Sequence, residues 1–189
     1  MPLPRFERLP AAARAAFLDT ARTHFARDGR DGASLNRIID DSGISKSSAY
    51  HYFDGKSDLF ETVAADSLQR AAQTLGEWSP AADADGLWRQ FHAANERLGA
   101  FLAAHPDHRA LLEQTPGDAP SSWFAAFFAD AARLGLIDGT PDRRLIETAS
   151  LAVLRAADRW ALALPPERFD PIAAGAAVQA LLQRLWRSG

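Results

Sequence analysis

Gly43 stands between two helix starts, and few structures other than a tight helix pair can be built around it. Ser34 is a good N-cap, because its hydroxyl can accept an orphan backbone N–H of a first turn. Leu35, Ile38 and Ile39 follow it at helical spacing. Gly43 then supplies positive φ without steric cost and turns the chain sharply. Ser45 caps a second, short helix that ends near Phe53. Helix, glycine turn and short helix make the helix-turn-helix pattern, whose second helix enters the DNA major groove.

That short helix sorts its side chains. Ala49, Tyr52 and Phe53 fall on one side, able to pack on Ile38, Ile39 and Ile44. Lys46, Ser47, Tyr50 and His51 fall on the other, a set suited to base edges and phosphates. Asp54-Gly55 breaks the helix and Lys56 opens the next one. A lysine at a helix N-terminus opposes the helix dipole, which makes sense beside a phosphate. A purely structural helix pair would account for the apolar residues and leave this polar face unexplained.

Residues 17 to 63, FLDTARTHFARDGRDGASLNRIIDDSGISKSSAYHYFDGKSDLFETV, resemble the N-terminal domain of the tetracycline-repressor (TetR) family of transcriptional regulators. The resemblance rests on a helix ending Phe25–Gly29, then Ser34, Gly43-Ile44-Ser45-Lys46, Tyr50-His51-Tyr52-Phe53 and Lys56. It implies that Lys46, Ser47, Tyr50, His51 and Lys56 contact DNA and that Ser34 touches a phosphate. His24, Asn36, Ala49 and Gly55 depart from the usual leucine, arginine, leucine and serine. Of these, Asn36 bears on a base or phosphate contact from the first helix of the pair. With Arg37 and Ser45 added, the expected DNA-binding set is Ser34, Arg37, Ser45, Lys46, Ser47, Tyr50, His51 and Lys56.

A net charge of −3 does not announce a nucleic-acid binder. Residues 1 to 60 hold nine Lys/Arg against eight Asp/Glu, net +1, which leaves −4 for the remainder. DNA affinity must therefore come from local placement of Arg5, Arg8, Arg14, Arg37, Lys46 and Lys56. There is no cysteine, hence no disulfide and no thiolate metal site. No run of 18 apolar residues predicts a membrane span, and MPLPRFERLP lacks a signal-peptide core, so a cytoplasmic location is expected.

The rest of the chain shows no alternating strand pattern. Helices are expected over about 11–28, 56–78, 87–104, 106–114, 121–135, 142–163 and 167–187, separated by Pro/Gly breaks. The fold class is all-α. It divides into an N-terminal three-helix helix-turn-helix domain over 1–55 and a C-terminal helical ligand-binding and dimerisation domain over 56–189. The helix from Lys56 is too long for the first domain alone and connects the two.

Trp88, Phe91, Leu98 and Leu102 share one helix face, with Asn95 in its middle and His92 at its edge. An unpartnered buried amide costs about 1–3 kcal/mol. Asn95 should therefore bond either to a neighbouring protein group or to a ligand in an apolar pocket. Trp123, Phe124, Phe127 and Phe128 crowd one helix; with Trp88, Phe91 and Trp160 they either pack as core or line a cavity for a flat or greasy molecule. The resemblance implies an inducer pocket there. His105-Pro106-Asp107-His108 is a weak metal pattern, since zinc needs three or four convergent ligands, and no metal or other cofactor is expected.

Ala149, Ala152 and Ala156 line one side of the helix at 142–163, beside Leu145, Val153 and Trp160; Leu151, Leu154 and Leu162 supply a second side, interrupted by Arg155 and Asp158. The last helix aligns Ala174, Val178, Leu181 and Leu185, flanked by Gly175, Leu182 and Trp186. Small residues in stripes let helices approach closely, so two helices from each of two subunits can close a four-helix bundle. The resemblance places a dimer interface there too.

Enzyme signatures are absent. Gly55-Lys56-Ser57 lacks the earlier glycine of a phosphate-binding loop, and Gly43-Ile-Ser45-Lys-Ser47 lacks the final glycine of a nucleophile elbow. The expected function is a homodimeric repressor on double-stranded DNA. Its palindromic operator would have half-sites about 34–36 Å apart or a multiple of that, and a small hydrophobic or aromatic ligand would release it. The competing reading is a ligand-sensing or protein-interaction module whose DNA contacts have lapsed, motivated by Asn36, Ala49 and the weak positive charge.

Overall fold

The computed structural model describes Pro2 and residues 4–115, 122–137, 142–165 and 168–187. The expected breaks at 116–120 and 138–141, and Pro166 of the Leu164–Pro166 break, lie outside them. Among the described residues the regular structure is helical throughout: α1 Pro4–Glu7, α2 Ala11–Gly32, α3 Leu35–Ser42, α4 Lys46–Tyr52, α5 Gly55–Thr74, α6 Ala84–Ala104, α7 Pro106–Gln114, α8 Ser122–Arg133, α9 Arg143–Ala163 and α10 Pro171–Trp186. Two packing units result, one of Met1–Arg70 with His105–Pro116, the other of Ala71–Ala104 with Gly117–Gly189.

The first unit is built on an apolar face that the sequence spaces for it. Phe17, Leu18, Ala21 and Phe25 of α2 are buried against Ile38 of α3, Phe53, and Leu59, Phe60 and Val63 of α5. Gly29 leaves helical geometry at φ 72°, ψ 171°, where the first helix was expected to stop, although helical turns resume as far as Gly32. Gly43 takes φ 71° as the αL cap of α3. One element and one packing contact here go beyond the sequence expectation. The four-residue α1 carries Phe6 into the core, and α7, far along the chain, packs on α2. Leu111 of α7 is fully buried, Thr23 Oγ1 donates to Asp107 at 2.8 Å, and the Arg30 backbone N–H donates to Gln114 Oε1 at 3.1 Å. Buried Arg22 of α2 bridges Asp19 and Asp66, each at 2.5 Å, and donates to Ser67 at 3.1 Å.

The second unit centres on Phe127. Its fully buried ring meets Trp78, Trp88, Phe91, Trp123, Phe128 and Trp186 at centroid distances of 5.3–5.9 Å. Trp186 also stacks on Trp88 at 5.3 Å and donates its indole N–H to Ser150 at 2.8 Å, which fastens α10 to α9. The fourth expected helix ends at Thr74 rather than Trp78, because Gly76 takes φ 75° and Trp78 is needed in this core. Asp130 fixes the turn that follows: its carboxylate accepts the Trp78 indole N–H at 3.2 Å and the Ala81 backbone N–H at 2.7 Å, and pairs with Arg133. No helix among the described residues is long and apolar enough to cross a membrane.

Candidate nucleic-acid interface

Two capped helices present the candidate surface. Ser34 caps α3, its hydroxyl facing the Arg37 backbone N–H at 3.5 Å. Ser45 caps α4 by accepting the Ser48 backbone N–H at 3.1 Å, and its hydroxyl also lies 3.0 Å from that of Ser47. Ala49 and Phe53 are buried and Tyr52 is half-buried, so the apolar side of α4 faces inward. Lys46, Ser47, Tyr50 and His51 are exposed, Tyr50 at 58%. A large aromatic left in water at the centre of a short helix costs burial energy that inward packing would recover. Its position is better suited to a partner surface.

Arg37 is exposed on α3, and Ser34 and Lys56 are half-buried at their helix starts. Lys56 does not point freely outward: its ammonium donates to the Asp31 carbonyl at 2.6 Å. That bond uses one of three donors and fixes the start of α5 beside the end of α2. Gly55 before it takes φ 87°, and the Asp54 backbone N–H is capped by Asp58 at 3.1 Å. His24, buried at the back of α2, bonds to Asp41 of α3 at 2.8 Å, a polar link where a leucine would offer only packing.

Ion pairing uses some of the charged groups and leaves others single. Arg22, Arg27 and Arg30 are matched by Asp19, Asp66, Asp28 and Glu61. Among the described residues, Arg5, Arg8, Arg37 and Lys46 have no carboxylate at ion-pair distance. Glu7, Asp31, Asp40 and Asp54 likewise have no cation at ion-pair distance among the described residues, so this region is close to charge balance and any DNA contact rests on where individual cations sit.

The residues expected around a ligand separate into three groups. Trp88, Phe91, Trp123, Phe127 and Phe128 are buried ring against ring, with Phe124 half-buried at the margin. His92 and Asn95 sit together at the α6–α10 contact, both half-buried; His92 Nε2 lies 2.6 Å from Gln179 Oε1. Gly175 permits that approach, because a Cβ there would come within 2.8 Å of His92 Nδ1 and 3.6 Å of Asn95 Nδ2. Trp160 lies outside the cluster, 52% exposed on α9. His105 and His108 rings lie 5.7 Å apart, and no cluster of three candidate metal ligands occurs among the described residues.

The paired helices α9 and α10 also sort their faces. Ile146, Ser150 and Leu154, and Gly175, Val178, Leu182 and Trp186, are buried. Leu145, Ala152, Ala156 and Trp160 of α9, and Ile172, Leu181 and Leu185 of α10, are exposed. Arg155 is half-buried and Asp158 exposed.

Residues 17–63 match the family model described as "Bacterial regulatory proteins, tetR family". Over 68 residues the chain is 34% identical to the HTH-type transcriptional repressor AcnR of Corynebacterium efficiens, a stretch covering 36% of each protein, so it spans about a third of that relative's length. A TetR-family transcriptional regulator from Haemophilus influenzae Rd superposes with TM-score 0.60 at 17% identity, over 93% of this chain and 95% of that one. A TetR-like transcriptional regulator from Rhodococcus sp. RHA1 superposes with TM-score 0.57 at 22% identity, over 94% and 97%. At such identities these likenesses show the shared fold.

Proposed function

We propose that this chain, which belongs to the tetR family of bacterial regulatory proteins, is a cytoplasmic repressor that binds a palindromic operator as a homodimer and is released by a small hydrophobic or aromatic ligand. The family is one of transcriptional regulators, not enzymes. The observation that carries the reading is the outward face of α4, where Lys46, Ser47, Tyr50 and His51 are exposed while Ala49 and Phe53 anchor the helix from behind. Lys46 and Tyr50 read bases; Ser34, Arg37, Ser45, Ser47, His51 and Lys56 hold phosphates and set the register. Reading belongs to residues 1–55, and sensing and pairing to 56–189. Packing divides the chain elsewhere, since most of α5 and all of α7 are built into the first unit.

Pairing uses the exposed apolar residues of α9 and α10, including Leu145, Trp160, Ile172 and Leu181, which otherwise leave a large apolar surface in water. The ligand site is formed from Trp88, Phe91, Trp123, Phe124, Phe127 and Phe128, with hydrogen bonds supplied at the edge by His92 and Asn95. Entry parts rings that otherwise lie against each other, and this repacking couples occupancy to DNA affinity. By linkage DNA must weaken the ligand by the same factor.

A gel shift with DNA from upstream of the chain's own gene tests the central part, a retarded complex being the expected result. The alternative, a sensing module that has lost specific DNA binding, predicts no preference for that DNA. Since all five tryptophans, Trp78, Trp88, Trp123, Trp160 and Trp186, follow the reading domain, intrinsic fluorescence titrated with hydrophobic compounds reports on the sensing part. A compound that releases DNA should change that fluorescence.

A further inference from the structure

The short helix α1 has a role that its length does not suggest. Phe6 is 3% exposed, and its ring lies 4.7 Å from Phe53, 5.9 Å from Tyr52 and 6.0 Å from Phe17. Aromatic pairs at such separations contribute about 0.5–1.5 kcal/mol each beyond their buried area. The segment is pinned further where Arg14 donates to the Glu7 carbonyl at 2.9 Å and the Leu9 backbone N–H to the Phe6 carbonyl at 3.1 Å. Tyr52 and Phe53 close α4 directly after the exposed Tyr50 and His51. The N-terminal segment is thus docked on the end of the candidate reading helix.

Arg5 and Arg8 bracket Phe6 and are both exposed. Arg5 lies in α1 and Arg8 in the turn directly after it, so with Phe6 turned inward both side chains are left on the outside. Neither has an ion pair among the described residues, and Glu7 is the one carboxylate on the segment. Two exposed cations against one carboxylate, on a docked segment, suit the backbone of a nucleic acid, since Arg presents a planar fork of donors to phosphate oxygens.

We infer that Arg5 and Arg8, carried by the N-terminal segment docked through Phe6 on the C-terminal end of α4, form a second phosphate-binding point on duplex DNA beside the groove that α4 enters. It rests on the DNA-binding reading above and deepens it. The contact is with the sugar–phosphate backbone, so it adds affinity and fixes α4 in register without selecting sequence.

The test is a fluorescence-anisotropy titration of full-length protein with a fluorescein-labelled duplex of its upstream DNA and one of scrambled sequence, over a salt series. Replacing both arginines, Arg5→Ala with Arg8→Ala, should flatten the slope of log affinity against log salt by about two units, at about 0.9 per phosphate released. Both duplexes should lose affinity by the same factor, with the melting temperature unchanged. The Arg5→Lys, Arg8→Lys pair should restore most of the slope. An alanine variant with wild-type slope and affinity overturns the inference while leaving the DNA-binding reading intact. A lysine variant as weak as the alanine one, or loss confined to the upstream duplex, overturns the phosphate assignment. If the wild type binds neither duplex, both readings fall together.

Discussion

Tyr50 and Lys56 show how differently two neighbouring polar residues behave under one function. Tyr50 is exposed on the middle of α4 and contributes nothing visible to folding. Tyr50→Ala should therefore leave the melting temperature within a degree or two while reducing affinity for the preferred site more than for scrambled DNA. Equal losses on both would place Tyr50 on the backbone. Lys56 also holds the Asp31 carbonyl, so Lys56→Ala should weaken all sequences alike, flatten the salt slope by about one unit and slightly lower the melting temperature. Asp130 makes a pH prediction. Burial pushes its carboxyl up, but hydrogen bonds from Ala81, Arg133 and Trp78 outweigh that and leave it below the usual 3.8. A depressed folded-state value contributes stability that is present above pH 3.8 and lost as pH falls through the folded-state value. Denaturant melts of the wild type should therefore steepen in their pH dependence below about pH 4, and those of Asp130→Asn should not; matching profiles would remove the carboxylate from that role.

At the scale of elements, what was legible in the sequence was what local chemistry decides. Ser34, Gly43 and Ser45 each act through the backbone within three residues, and the αL turn with its two caps follows directly from them. The sorting of α4 followed from helical periodicity. The role of α1 was not legible, because one phenylalanine in a proline-flanked segment has no period to read. The docking of α7 on α2 was hidden for another reason: Thr23–Asp107 and Arg30–Gln114 each join residues 84 positions apart. In the second unit, the aromatic crowding on α8 was plain from Trp123 to Phe128. Trp186, which by spacing alone flanks the outer stripe of α10, instead packs in this core, where Ser150 accepts its indole N–H. Phe127 is the keystone of that packing, so Phe127→Ala should cost about 3–5 kcal/mol by chemical denaturation. A loss under 1 kcal/mol would mean that the rings close over the gap and that the cluster is loosely held.

At the scale of the whole molecule, the proposed function makes reading and pairing one requirement, since a single α4 would gain register on a palindrome only when a second copy is fixed one helical repeat, or a multiple of it, away. Size exclusion with light scattering should give twice the chain mass of 20.5 kDa, and Leu181→Glu should shift it toward the single chain. That change introduces a charge at a residue 49% exposed on α10, where the fold of the separate chain should tolerate it. The variant should also lose operator affinity with its reading helix untouched, which links pairing to function. The most direct test of the account is a competition gel shift in which wild type and Tyr50→Ala choose between labelled upstream DNA and an excess of scrambled duplex. Wild type should stay on the upstream DNA as a two-subunit complex, and Tyr50→Ala should lose that preference. A wild type displaced as readily as the variant would contradict it.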